Sequence, residues 1–230
     1  AYDENESILI HLNGDSATAS SNSVKISGST VQITEEATYI ISGTLNNGII
    51  LVDAEDTAKL QIVLNGVSIT NESSAALYIL SADKVFVTLA EGTENTLANG
   101  GSFIAIDENN IDAVVFSKQD LTFNGTGNLI ITSPNGNGIV GKDDLVFTGG
   151  NYTINTSSHG IEANDSVRIT GTTQITVDAG KDGIHCENND DTSLGFIYIS
   201  AGTLNIEAEG DGISASAYMQ IVDGTFSVLA

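Results

Sequence analysis

Asn137-Gly138-Ile139, His159-Gly160-Ile161, Asp182-Gly183-Ile184 and Asp211-Gly212-Ile213 are four copies of one phrase, and they decide how the rest of the 230 residues is read. The copies begin 159 − 137 = 22, 182 − 159 = 23 and 211 − 182 = 29 residues apart. Behind each phrase stands a pair of apolar residues at period two: Leu145/Phe147, Val167/Ile169, Ile197/Ile199 and Met219/Ile221. A second such pair follows: Tyr152/Ile154, Ile175/Val177, Leu204/Ile206 and Phe226/Val228. Glycine marks the corner between the pairs, at Gly149-Gly150, Gly171, Gly202 and Gly224. A period near 22 residues is the signature of a solenoid, and apolar alternation at every second residue makes its segments strands. The expected fold is all-β: a right-handed, single-stranded parallel β-helix of about eight turns, three short strands to a turn.

Working outward, residues 1–22 carry one apolar run, Ile8-Leu9-Ile10, and read as a cap or lead-in to a single domain spanning 1–230. Val24/Ile26, Val31/Ile33 and Tyr39/Ile41 read as rung strands, and Asn47-Gly48-Ile49 repeats the opening phrase. The period breaks near 91–110 and again near 187–195, so these segments read as insertions. In solenoids insertions gather on one face, often the binding face. The chain opens at Ala1 and stops at Ala230 inside a repeat, as expected of a piece cut from a larger secreted or cell-surface protein.

Thirty acidic residues against seven basic ones give a formal charge of −23. That excludes a phosphate-neutralising nucleic-acid surface and disfavours an anionic membrane surface. No apolar run reaches the roughly 18 residues of a membrane span. The one cysteine, Cys186, excludes an internal disulfide and reads as an inward, structural thiol.

Aligned by the repeat, polar residues stack at the strand spacing of about 4.8 Å. One column is Asn137, His159, Asp182 and Asp211; a second is Asp143, Asp165 and the Glu187/Asn188 pair, with Glu162 beside it. Two carboxylates about 5 Å apart repel by roughly 3 kcal/mol at an effective dielectric near 20. Seven basic residues cannot compensate thirty acids, whereas calcium, which takes six to eight oxygens, can. Asp143, Glu162, Asp165, Asp182, Glu187 and Asp211 are therefore the expected metal ligands, against the plainer reading of Asp and Asn as corner residues bonding nearby backbone. His11, His159 and His185 lack partners at zinc spacing, so no structural zinc site is expected. Aromatic rings suit sugar faces. Tyr198, with Phe196 before it and Arg168 one turn earlier, forms the expected carbohydrate-binding strip.

The run Lys142-Asp143-Asp144-Leu145-Val146-Phe147-Thr148-Gly149-Gly150, with His159 to Asp165 and Lys181 to His185, resembles bacterial cell-surface carbohydrate-binding proteins with a polysaccharide-lyase-like β-helix. The likeness runs from about Asp112 to Ala230 and is loose before that. It implies a right-handed parallel β-helix, bound calcium, and binding of cellulose and acidic pectin-type sugars such as polygalacturonate without cleavage. Asn137 and His159 depart from the family's aspartate, and Ser214 to Ala217 lack its trailing acid, so fewer calcium sites than turns are expected. A calcium-dependent pectate lyase would instead need a lysine base, for which Lys142 or Lys181 qualifies. A surface spacer or adhesin is the third reading.

Overall fold

The structure is a computed structural model that describes residues 2–230. It is all-β among the described residues, and nearly every ladder is parallel. The smaller of its two sheets runs Thr30–Ile33, Ile49–Asp53, Leu77–Ser81, Ala113–Ser117, Asn137–Gly141, Ile161–Ala163, Ile184–Cys186 and Ile213–Ala215. The larger sheet is bent. Its long strand Lys59–Asn71 pairs on one side of a corner with Lys84–Leu89 and on the other with Glu94–Asn99. One arm then continues through Asp120–Gly125, Asp144–Phe147, Ser166–Ile169, Phe196–Ile199 and Met219–Ile221. The other continues through Asn128–Ser133, Asn151–Thr156, Gln174–Ala179, Thr203–Ala208 and Thr225–Leu229. The chain visits the smaller sheet and the two arms in rotation.

Strand alternation explains why these residues hold the ladders. Inward positions of all three faces meet in one apolar cluster running from Ile10 to Ile206. Phe123 and Phe147 stack at 5.0 Å within it, and Tyr152 packs edge-on to both. The Tyr152 hydroxyl donates to the Gly149 carbonyl at 2.7 Å, satisfying its only polar atom. Cys186 is buried on an inward position of this core.

Two kinds of glycine set the turns. Gly150, Gly171, Gly202 and Gly224 have φ of +96°, +64°, +114° and +142°, where a side chain would be strained. The glycine of the repeated phrase is needed for a different reason. A Cβ on Gly160 would lie 2.6 Å from the Gly183 carbonyl oxygen, and one on Gly183 the same distance from that of Gly212. Successive turns approach too closely there for any side chain.

The structure departs from the sequence reading in two places. Val24–Ser27 and Thr30–Ile33 form an antiparallel hairpin, so they are not successive rungs. The turn between them, Ser27 to Thr30, is too short for a parallel crossover. Ile8–Gly14 likewise pairs antiparallel with Ala17–Ala19 and parallel with Thr38–Leu45, placing part of 1–22 on the end of the larger sheet. Second, the segment read as an insertion at 91–110 holds a regular strand, Glu94–Asn99, in register with Asn128–Ser133. The polar spelling of that strand hid it: its buried Asn95 accepts the backbone N–H groups of Gly66 and Val67, and Asn99 donates to the Ser74 carbonyl. The irregular part that follows, residues 100–112, folds over the outer surface of the smaller sheet. There Phe103 and Ile111 join Tyr78, Phe116 and Val140 in a second apolar cluster. The Tyr78 hydroxyl donates to Asp107 at 2.6 Å and pins the flap.

Candidate functional site

Beyond the flap, the smaller sheet's outer surface turns polar. Val140, Glu162, His185 and Ser214 stand in register on successive strands, all on the outward side. Lys142 lies over the Phe116 ring and 3.9 Å from Glu162, so its ammonium is already engaged. Lys181 is exposed on the turn leading to Asp182.

The first polar column stacks as a hydrogen-bonded ladder. The Asn137 side-chain oxygen accepts the His159 N–H at 2.9 Å, and Asp182 Oδ1 accepts the Asp211 N–H at 2.8 Å. His159 Nδ1 receives the Asp182 N–H at a longer 3.3 Å. These residues cap the backbone of the next turn, as corner residues do. Asp182 has a second partner set, however. Its Oδ2 lies 2.7 Å from His185 Nδ1 and 3.6 Å from His159 Nδ1. Sequence reasoning missed this meeting, because 159 and 185 belong to different turns and do not form a local metal motif. Glu187 lies on the same side, with Oε2 3.6 Å from His185 Nε2.

The second column gathers a different set at the edge where the chain enters the larger sheet. Asp143 is half-buried, and its carboxyl is pushed up to about 6, first by burial and then by Asp120 and Asp165 beside it. Asn188 donates to Asp165 at 2.9 Å, so the expected Asp143, Asp165, Asn188 stack exists. Glu187, expected in the same stack, points to His185 instead. Lys84 offsets Asp120 at 3.2 Å, and the remaining carboxylates are left facing one another. Near Glu162, Asp112 has one buried carboxylate oxygen without a hydrogen-bond partner, and burial together with Glu162 raises its pKa. Clustered carboxylate and amide oxygens with uncompensated repulsion fit a hard cation such as calcium. Asp143 and Asp165, which face each other, come nearest to that description; Asn188 turns its amide N–H to Asp165, while its oxygen accepts the Asp190 and Asp191 N–H groups. Asp211 is exposed at the ladder's end, and Asp182 lies between two imidazoles.

The acidic edge runs straight into an aromatic strip. Asp165 carries its carbonyl to the Phe196 N–H at 3.3 Å, and Ser166 and Phe196 are strand neighbours. The Phe196 ring stacks on Tyr218 at 4.9 Å with planes 2° apart, and the Arg168 guanidinium covers it at 5.3 Å. Arg168 and Tyr198 are in register on the same outward column as Val146 and Gln220. Asp144 steadies Arg168 from 3.4 Å. Tyr218 was missed in the sequence because it precedes the apolar pair Met219/Ile221, outside the counted repeat positions. An aromatic immediately before the pair's first member, as in Phe196-Ile197 and Tyr218-Met219, is the signal that would have found it.

Comparison with known proteins points the same way. A solved polysaccharide lyase-like protein from C. thermocellum, a gadolinium derivative, superposes with a TM-score of 0.86 at 33% identity, covering 96% of this chain and 94% of that one. A carbohydrate-binding domain-containing protein of Acetivibrio thermocellus is 41% identical over 133 residues, which are 57% of this chain and 46% of that protein. This chain thus aligns with less than half the length of that relative. The family model for carbohydrate-binding domain-containing proteins matches residues 27–230, and the chain belongs to that family.

Proposed function

We propose that the chain is a non-catalytic polysaccharide-binding module of a secreted or cell-surface protein, wound as a right-handed parallel β-helix of about eight turns. On this reading it takes acidic pectin-type chains such as polygalacturonate through calcium, and cellulose through its aromatic strip. One observation carries the proposal: the carboxylates of Asp143 and Asp165 abut, through Asp165 and Ser166, the flat outward surface of Arg168, Phe196 and Tyr218.

A chain of charge −23 repels a polyuronate. Calcium at this edge would neutralise both sides by sharing its coordination between protein and uronate carboxylates. Asp143 and Asp165 would hold it, and Asn188 orients Asp165. The structural relative was solved as a gadolinium derivative, and gadolinium, like calcium, is a hard cation that prefers oxygen ligands. The Phe196 and Tyr218 faces, with Tyr198 beside them, offer apolar area to sugar rings, and Arg168 supplies fixed donors to sugar oxygens. A neutral glucan uses only the strip and needs no cation. Of the two lysines that could act as a base, Lys142 has its ammonium drawn to Glu162 and the Phe116 ring, and an assay for unsaturated product tests for the other, Lys181.

Affinity electrophoresis through polygalacturonate, in calcium and in excess chelator, tests the reading. Retardation that needs calcium, with no ultraviolet-absorbing unsaturated product, is expected. Asp143→Asn with Asp165→Asn should abolish it, and Phe196→Ala with Tyr218→Ala should weaken cellulose pull-down. Retardation unchanged by chelator, or accumulation of unsaturated product, would overturn the proposal.

A further inference from the structure

We propose that His159, His185 and Asp182 form a binding site for a divalent transition metal of the zinc class, distinct from the oxygen-only edge at Asp143 and Asp165. One ring nitrogen of each histidine and an Asp182 carboxylate oxygen all lie within 4.8 Å of one another, and both Nδ1 atoms face Asp182 Oδ2, at 3.6 and 2.7 Å. The three side chains are 16%, 22% and 15% exposed, so they are sheltered yet reachable. Two imidazoles and one carboxylate are a donor set that suits zinc, nickel or copper and is poor for calcium.

The ladder of the fold does not by itself require this arrangement. Asn137 and Asp182 accept the next turn's N–H at 2.9 and 2.8 Å, while His159 does so at only 3.3 Å. His185 stands on a different column, in register with Glu162 and Ser214. Yet its ring stacks on His159 at 4.6 Å with planes 24° apart, which turns both Nδ1 atoms toward Asp182. Burial and the neighbouring His185 lower the His159 pKa, which favours the neutral, ligating imidazole.

The surrounding groups orient the ligands as second-layer partners do at known metal sites. The Asp211 N–H holds Asp182 Oδ1, leaving Oδ2 to the imidazoles. Glu187 Oε2 faces His185 Nε2 at 3.6 Å. Without metal, His185 Nδ1 donates its proton to Asp182 Oδ2. On binding, that proton leaves Nδ1 and Nε2 is protonated instead, facing Glu187, so the neutral ring keeps one proton, while His159 Nδ1 exchanges its long 3.3 Å bond from the Asp182 N–H for the metal. Ligands of a tetrahedral zinc stand about 2.0–2.1 Å from the ion. His159 Nδ1 and Asp182 Oδ2 start 3.6 Å apart, and water can take the fourth place.

Titration of the full chain with Co2+ and Zn2+ in a non-coordinating buffer, with millimolar calcium present, tests this. One equivalent of Co2+ should give visible ligand-field bands, and Zn2+ should abolish them. Each of His159→Asn and His185→Ser should lower affinity about tenfold or more. Both variants import a residue that a neighbouring turn already carries at that slot, Asn137 and Ser214 respectively. Imidazole NMR of the unmodified chain gives a readout that needs no variant. Of its three histidines, His159 and His185 should shift on zinc addition, and His11 should not. Absence of binding below millimolar metal, binding displaced by calcium, or binding that leaves His159 and His185 unshifted would each overturn the proposal. The sugar-binding reading stands or falls separately, on polygalacturonate retardation.

Discussion

Asp143 and Asp165 occupy one place in successive turns, and His159 and Asp182 occupy another, so a single repeat produced both clusters. The two clusters differ in a few side chains. At the first edge the charged groups are all carboxylates, Asp120, Asp143 and Asp165, which repel one another, and Asn188 donates an N–H to Asp165. At the second, one aspartate is flanked by two imidazoles that are already hydrogen-bonded or stacked. A parallel ladder imposes spacing but not donor type. The difference teaches that one ladder can set an all-carboxylate cluster and an imidazole–carboxylate cluster side by side with the backbone unchanged, which is what the two proposals rest on.

The largest expected effect breaks the first cluster and spares the second. With Asp143→Asn and Asp165→Asn together, the rise in thermal midpoint produced by calcium should vanish, because two of the carboxylates holding the ion are gone. Cobalt binding at the histidines should be unaltered. Loss of both responses in the same variant would show that the two clusters are one site, and differential scanning calorimetry with parallel cobalt titration reads the two together.

A smaller effect comes from Gly183, which joins Asp182 to Ile184 beneath the histidines. Alanine there would place a Cβ 2.6 Å from the Gly212 carbonyl oxygen and closer still to Ile206. Overpacking of this kind costs about 1–3 kcal/mol. Urea denaturation of Gly183→Ala should show that loss. Cobalt affinity should fall with it, since His185 is two residues away, while calcium-dependent retardation on polygalacturonate should persist. A variant as stable as the parent would remove the close-approach account of the repeated glycine.

Much of this architecture was legible because it rests on local spelling. The phrase glycines, the corner glycines and the apolar alternation each answer one steric or burial demand, and they reported the ladders, the inward Cys186 and the stacked columns. Segments whose partners are chosen by tertiary position were not legible in the same way. Val24/Ile26 and Val31/Ile33 have rung spelling, but the short turn joining them forces a hairpin. Glu94–Asn99 lacks rung spelling because buried asparagines there bond backbone groups of neighbouring turns. His159 and His185 lie one turn plus three residues apart. Only the ladder register between Ile161–Ala163 and Ile184–Cys186 shows that such a spacing brings two rings together.

The smallest expected effect sharpens the comparison through pH. Folding raises the Asp143 pKa from its ordinary 3.8 to about 6, so the fold prefers the protonated acid. In chelator its stabilising contribution is complete below about 4 and is lost as pH rises through about 6. His159 runs the other way. Burial, then His185, lowers its pKa below the ordinary 6.5, so the fold prefers the neutral ring. That contribution is present above about 6.5 and is lost as pH falls through the lower folded value. Denaturant midpoints measured from pH 4 to pH 8 in chelator should therefore separate the clusters. Asp143→Asn should match the parent at the acid end and exceed it at pH 7, whereas His159→Asn should flatten the decline on acidification. Adding calcium at pH 7 should reverse the order of Asp143→Asn and the parent, because the repulsion that burdens the metal-free edge is the same property that attracts the cation. If Asp143→Asn is less stable than the parent at pH 7 in chelator, the carboxylates are already compensated within the protein, and the oxygen-rich edge loses its reason to bind calcium.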